Sequence, residues 1–129
     1  MKTAIDIMRT PLISVGCKRT LREVLGLFEE HKISGAPIVG DDSVLQGVIS
    51  QTSVNNYLSR LNGSLDDCVE EAMTPYAFTI FPHTPLLEVL ETLVSTGIHR
   101  IIVIDDTRKP IGIITSLDLV QDYLEFLSP

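Results

Sequence analysis

The chain has 129 residues, 44% of them hydrophobic and 21% charged, and a formal net charge of −7. A chain of that length buries roughly two thirds of its unfolded surface, enough for one compact unit, whereas either half alone would be marginal. The acidic balance argues against a nucleic-acid backbone or an anionic membrane as the main partner, though not against a small anionic ligand, and no apolar run approaches the roughly 20 residues that span a bilayer.

Residues 1–9 form a lead-in with apolar Ile5, Ile7 and Met8, and Asp6 comes too early for a secretory core, so a soluble, cytoplasmic protein is expected. Pro11 blocks a helix from continuing. Leu12 to Val15 reads as a short strand. Thr20 caps a helix running to about His31, with Leu21, Val24, Leu25 and Phe28 on one apolar face. Ala36 to Val39 and Val44 to Ile49 are strands joined by a turn at Gly40-Asp41-Asp42-Ser43. Pro37 has no N–H to donate, so its strand is interrupted there or lies with that side unpaired. A helix from about Thr52 to Leu61 follows.

Asn62-Gly63-Ser64 marks a linker, and Cys68 to Met73 a helical turn that Pro75 ends. The plan then repeats. Phe78 to Phe81 is a strand, and Thr84-Pro85 opens a helix, with threonine as cap and proline at its first position, that stops near Gly97. Arg100 to Ile104 and Ile111 to Ile114 are paired strands, and the last helix runs from about Ser116 to Leu127. Gly47 and Gly112 stand 65 residues apart, and the same offset pairs Met8 with Met73, Leu21 with Leu86, Glu23 with Glu88, Ile33 with Ile98, Asp41 with Asp106 and Ile49 with Ile114. A constant, gapless offset over about half the chain is an internal duplication. The two repeats divide the chain into 1–62, including the lead-in, and 63–129.

The most chemically loaded stretch is Gly112-Ile113-Ile114-Thr115-Ser116-Leu117-Asp118, a strand end running into a helix. Gly112 lets a backbone or a ligand approach where any side chain would intrude. Thr115-x-x-Asp118 matches a capping box, a local contribution of about 1 kcal/mol. An ionised carboxylate is also an acceptor-only group suited to the two neighbouring hydroxyls of a ribose, and a threonine hydroxyl can meet ribose or phosphate while still capping. Arg100 and His99 precede an apolar strand, where a guanidinium offers a fixed donor array for phosphate; water-facing and strand-start roles are the alternatives. Cys17 and Cys68 belong to no Cys-x-x-Cys pair and are read as reduced thiols, and their spacing to His31, His83 and His99 fits no zinc site.

The duplicated plan, the Met8 and Met73-Thr74-Pro75 starts, the strand from His99-Arg100 to Asp105 and the Gly-x-x-Thr-x-x-Asp terminus together resemble a tandem pair of CBS domains, named for cystathionine β-synthase. The resemblance covers nearly the whole chain. It implies an α/β fold of two pseudo-symmetric repeats, each strand-helix-strand-strand-helix, packed as one module with two related clefts and commonly paired into a homodimer. It further implies regulatory binding of AMP, ADP, ATP or S-adenosylmethionine without chemical turnover.

Carried onto this sequence, the resemblance assigns the ribose to Thr115 and Asp118. Similarity to the gamma subunit of AMP-activated protein kinase, with its His-Arg strand start, assigns the phosphate to His99 and Arg100; Lys32, placed opposite the cleft by the repeat relation, is a weaker third candidate. The adenine falls to Ile13, Ile33, Ser34, Gly35 and Ala36, for which plain core packing is the alternative. The first repeat has Ser50 and Ser53 where the second has Thr115 and Asp118, beside a bulky strand containing Thr79, so its site is expected to be weaker, empty or differently used. Leu58, Leu61, Tyr123 and Phe126 are the expected dimer surface, with packing between the helices as the alternative. No nucleophile with an adjacent base and no metal-ligand set is legible, so an enzyme ranks behind a nucleotide sensor that acts on an unidentified regulated protein, and behind a ligand-free dimerisation scaffold.

Overall fold

Each half begins with a lead-in turn and continues as a short strand, a helix, a β-hairpin and a capped helix. The computed structural model describes every residue except Met1, Pro11 and Tyr76, so the expected stop at Pro11 lies outside the described residues. Helix α1 (Ala4–Ile7) precedes β1 (Val15–Gly16), α2 (Leu21–His31), β2 (Gly35–Val39), β3 (Leu45–Ser50) and α3 (Gln51–Arg60). A 3-10 turn at Val69–Glu71 leads to β4 (Thr79–Ile80), α4 (Leu86–Thr96), β5 (Arg100–Ile104), β6 (Pro110–Thr115) and α5 (Ser116–Leu127). The sheets have the orders β1-β2-β3 and β4-β5-β6, parallel then antiparallel in each.

Two details depart from the sequence pattern, and of the two alternatives for Pro37 the structure takes the second, with that side unpaired. The strands expected over Leu12 to Val15 and Phe78 to Phe81 shrink to two residues each, because β1 and β4 each pair with only two residues of the central strand. Thr84 does not cap α4; Pro85 holds that position with φ −60° and ψ 144°. The Thr84 carbonyl is taken by the Ala4 N–H at 2.9 Å and its hydroxyl by the Phe81 N–H at 3.1 Å, which keeps residue 84 outside the helix. The strand carrying Pro37 is not interrupted. Pro37 stands opposite Val48, whose N–H and carbonyl both bond Thr74, and pairing with β1 begins only at Ile38.

The compact units are Ile13–Ala77 on one hand and Met1–Leu12 with Phe78–Pro129 on the other. Residues 1–12 of the first repeat thus belong with the second, and residues 63–77 of the second with the first. In the first, Val15, Leu21, Val24, Ile38, Ile49 and Val54 are buried together with Val69 of the connector. In the second, Val89, Ile101, Val103, Ile114 and Leu119 are buried together with Ala4 of the lead-in. Four isolated bridges make the exchange explicit: Thr3 with Pro85, Arg9 with Ile113, Thr20 with Cys68 and Val48 with Thr74.

The two glycines owe their place to this exchange. A Cβ on Gly112 would stand 2.5 Å from the Met8 sulfur, and one on Gly47 would stand 2.5 Å from the Thr74 carbonyl oxygen and 3.1 Å from the Met73 sulfur. What approaches Gly112 is therefore the Met8 side chain of the lead-in.

Candidate functional site

Strand β6 ends where α5 begins, and the turn is held by a reciprocal capping box. The Thr115 hydroxyl accepts from the Asp118 N–H at 3.2 Å, and Asp118 Oδ2 accepts from the Thr115 N–H at 2.8 Å. The structural role of the pair is thus met in full. It leaves Asp118 Oδ1 facing away from the helix backbone, and that oxygen accepts from Arg9 Nε at 2.5 Å. The Asp118 side chain is 8% exposed and that of Arg9 60%, so a nearly covered carboxylate lies under a largely solvated guanidinium. Arg9 is anchored by its own N–H, which donates to the Ile113 carbonyl at 2.8 Å.

Two of the expected phosphate groups are in the same unit. Arg100 opens β5 directly opposite Thr115, half-buried. The His99 carbonyl accepts the Ser116 N–H at 2.9 Å, and this residue borders an apolar groove of about 450 Å³ that Leu90, Val94, Leu119, Val120 and Tyr123 also line. Thr79 sits in β4 opposite Ile102. Lys32 belongs to the other unit, where it is the C-cap of α2 in the left-handed region (φ 55°). Gly97 takes the same place after α4 at φ 71°. Lysine pays a steric cost there that glycine does not.

The adenine candidates are also in the other unit. Ala36 is 2% exposed and part of that unit's core, and Ile33 packs against it half-buried. Gly35 stands opposite Ser50, and the Ser34 carbonyl accepts from the Gln51 N–H at 2.9 Å. Ile13 precedes β1. Its equivalent Phe78 accepts from the Ile102 N–H at 3.1 Å, a bond without a counterpart at Ile13 because residue 37 is proline. Ser50 and Ser53 reproduce the capping box of α3: Ser50 Oγ accepts from the Ser53 N–H at 3.1 Å and Ser53 Oγ from the Ser50 N–H at 2.9 Å. The fold of the two turns is therefore the same, and only the second carries a carboxylate.

Arg9 was not among the residues singled out by sequence. Nor was the companion pair Lys2–Asp122, at 2.5 Å, which clasps the same lead-in to α5 one turn beyond Asp118. Asp118 and Asp122 are four residues apart on one helix face, and two basic residues in a preceding segment were the available signal. Of the expected dimer residues, Leu61, Tyr123 and Phe126 are exposed, whereas Leu58 is half-buried against its own unit's core. Among the described residues, no group of three or more His, Cys, Asp or Glu is placed to hold a metal ion, and no helix is long and apolar enough to cross a membrane.

A family model for the CBS domain matches residues 4–60 and again 69–125. Protein MJ1232 of Methanocaldococcus jannaschii is 33% identical over 102 residues, which are 79% of this chain and 33% of that protein. An inosine-5'-monophosphate dehydrogenase of Halobacterium salinarum is 27% identical over 115 residues, 89% of this chain but 22% of the enzyme. The chain thus spans a third or less of the length of these two relatives. Among solved structures, the CBS domain pair of protein MJ0100, in complex with 5'-methylthioadenosine and S-adenosyl-L-methionine, superposes with a TM-score of 0.87 at 25% identity, covering 97% of this chain and 98% of that one. CBSX2 in complex with AMP superposes with a TM-score of 0.84 at 27% identity, covering 99% and 100%. The duplicated turn, its capping boxes and these matches together place the chain in the CBS domain family, with the domain present twice.

Proposed function

We propose that the chain is a regulatory module that binds an adenosine-containing ligand, with nucleotides of the AMP, ADP or ATP type favoured, and works without chemical turnover. The observation that carries this is the Asp118 carboxylate: one oxygen is fixed by the helix cap, and the other is turned outward at a strand-to-helix junction beside a largely solvated cation. A carboxylate so held is a preorganised acceptor for a ribose diol. The ligands of MJ0100 and CBSX2 support the class of molecule.

In this reading Thr115 and Asp118 hold the ribose, His99, Arg100 and Lys32 serve the phosphate, and Ile13, Ile33, Ser34, Gly35 and Ala36 serve the adenine. Ser50, Ser53 and Thr79 form a weaker second site, because two serine hydroxyls cannot replace the charged acceptor. Binding would shift the packing of the repeats or of a homodimer, and through it the state of a regulated protein in the cytoplasm.

The test is a thermal-shift panel with AMP, ADP, ATP, S-adenosylmethionine and NAD. A ligand at 100 times its dissociation constant stabilises by about 2.7 kcal/mol, and the shift should vanish in Asp118→Asn, which keeps an oxygen for the helix cap but not the charge. A second reading, a ligand-free assembly module, is favoured by the exposed apolar side chains of α4 and α5, including Val94, Val120, Leu124 and Phe126. A panel flat for every ligand would select it.

A further inference from the structure

We propose that Arg9 is a latch on Asp118 that makes the site selective for phosphate-bearing adenosyl ligands over sulfonium-bearing ones; the inference rests on the nucleotide reading above. Its basis is a competition for one atom. Each oxygen of Asp118 keeps a second lone pair, but with Oδ2 bonded to the Thr115 N–H, Oδ1 to Arg9 Nε and the side chain only 8% exposed, a ribose reaching the carboxylate competes with the guanidinium for the space around Oδ1.

The displaced group cannot go far. The Arg9 backbone stays bonded to the Ile113 carbonyl at 2.8 Å, two residues before Thr115, the β6 position that faces Arg100 across the hairpin. A side chain that is 60% exposed is free to swing, and its planar fork matches phosphate bidentately. A ligand carrying a 5'-phosphate therefore returns the ion pair it breaks. A neutral nucleoside breaks it and returns nothing. S-adenosylmethionine, whose sulfonium sits at the same 5' position, breaks it and then faces two arginines with a positive charge of its own.

The first repeat supplies an internal contrast. By the 65-residue offset the counterpart of Arg9 is Thr74, which bridges Val48 just as Arg9 bridges Ile113, and the counterpart of Asp118 is Ser53. Latch and acid are replaced together, as expected of two residues that act on each other rather than of a cation that happens to lie near a helix end.

The experiment is isothermal titration of the full chain and of Arg9→Ala with AMP, adenosine and S-adenosylmethionine, with Arg9→Lys as a milder variant that keeps charge without the fork. The wild type should prefer AMP to S-adenosylmethionine by about tenfold or more, the size of one charged hydrogen bond. Arg9→Ala should bind AMP more weakly and both adenosine and S-adenosylmethionine more tightly, so that the preference collapses, with Arg9→Lys between. Equal weakening of all three ligands would make Arg9 a mere support for Asp118 and overturn the latch while leaving the nucleotide reading intact. The latch is overturned in the same way if the wild type takes S-adenosylmethionine as well as AMP. If neither the wild type nor Arg9→Ala binds any of the three, the nucleotide reading falls and the latch with it.

Discussion

At the scale of single residues, the glycines of the two strand-to-helix turns answer to packing rather than to a ligand. Gly47 and Gly112 are equivalent by sequence, but their neighbours differ in stiffness. An added Cβ at Gly112 meets the Met8 side chain, whose sulfur and Cγ lie 2.5 and 2.8 Å away and can move aside. At Gly47 it meets the Thr74 carbonyl oxygen at 2.5 Å, and that carbonyl is pinned by the Val48 N–H at 3.0 Å. Overpacking a close-fitting site costs about 1–3 kcal/mol. Gly47→Ala should therefore fall toward the upper end and Gly112→Ala toward the lower, and Met8→Ala should recover part of the Gly112→Ala loss. Urea denaturation midpoints decide it, and equal losses at the two glycines would contradict the difference in neighbours. The capping residues Thr115 and Asp118 were legible because a capping box is a local pattern. Arg9 was not, because its contact with Asp118 spans 109 residues and no local pattern encodes a partner that distant.

At the scale of elements, the duplicated architecture uses different chemistry for the same clasp. Lys2 and Asp122 tie the lead-in to α5 by an ion pair. The residues at the equivalent positions are Asp67 and Tyr57, and there the Tyr57 hydroxyl donates to Asp67 at 2.5 Å, tying the connector to α3. The bond marks both groups. It holds the Asp67 carboxyl below its usual range, with the Ser64 N–H adding to the effect, and pushes the Tyr57 phenol up to about 12, with burial adding to it.

The signs fix the pH dependence. Asp67 is depressed on folding, so its contribution is present above the unfolded carboxyl pKa of about 4 and is lost as pH falls through the folded value. Tyr57 is raised, so its contribution is present below the unfolded phenol pKa of about 10 and is lost as pH rises through the folded one. Tyr57→Phe should thus lower the urea midpoint most between about pH 5 and pH 9, with the gap to wild type narrowing on either side. A gap that stays constant with pH would assign the loss to a shift of the ring against Gly63, which lies so close that an added Cβ there would collide with it. Helices α2 to α5 and the hairpins were readable from apolar spacing and, except at α4, from caps. The two-residue strands β1 and β4 were overextended because a parallel edge strand ends where its partner's ladder ends, which its own composition does not record.

At the scale of the whole molecule, the offset of 65 identified which residues are equivalent but not which copy each one packs against. The bridges Arg9 with Ile113 and Val48 with Thr74 are related by that same offset, so an arrangement with each lead-in on its own repeat would give an identical self-alignment. Only the spatial partners distinguish them, and in the structure the lead-in of the first repeat completes the core of the second. Ala4 is 0% exposed within that core. The segment donates Ala4 N–H to Thr84, Ile5 N–H to Pro82 and Arg9 N–H to Ile113, and its Lys2 carbonyl accepts from the Leu86 N–H, at 2.8–3.0 Å. Deleting residues 1–9 should therefore strip amide-exchange protection from β6, α5 and the start of α4, which lie some 75 or more residues away in sequence, while β2 and β3 of the unit Ile13–Ala77 keep theirs. The same deletion removes Arg9, so the damage must be separated from loss of the latch. Arg9→Ala in the full-length chain should leave protection of α4 and β6 close to wild type, since the Arg9 N–H remains to meet Ile113. If the deletion instead exposed β2 and β3, the lead-in would belong to the repeat it precedes, and the exchange of segments would be wrong.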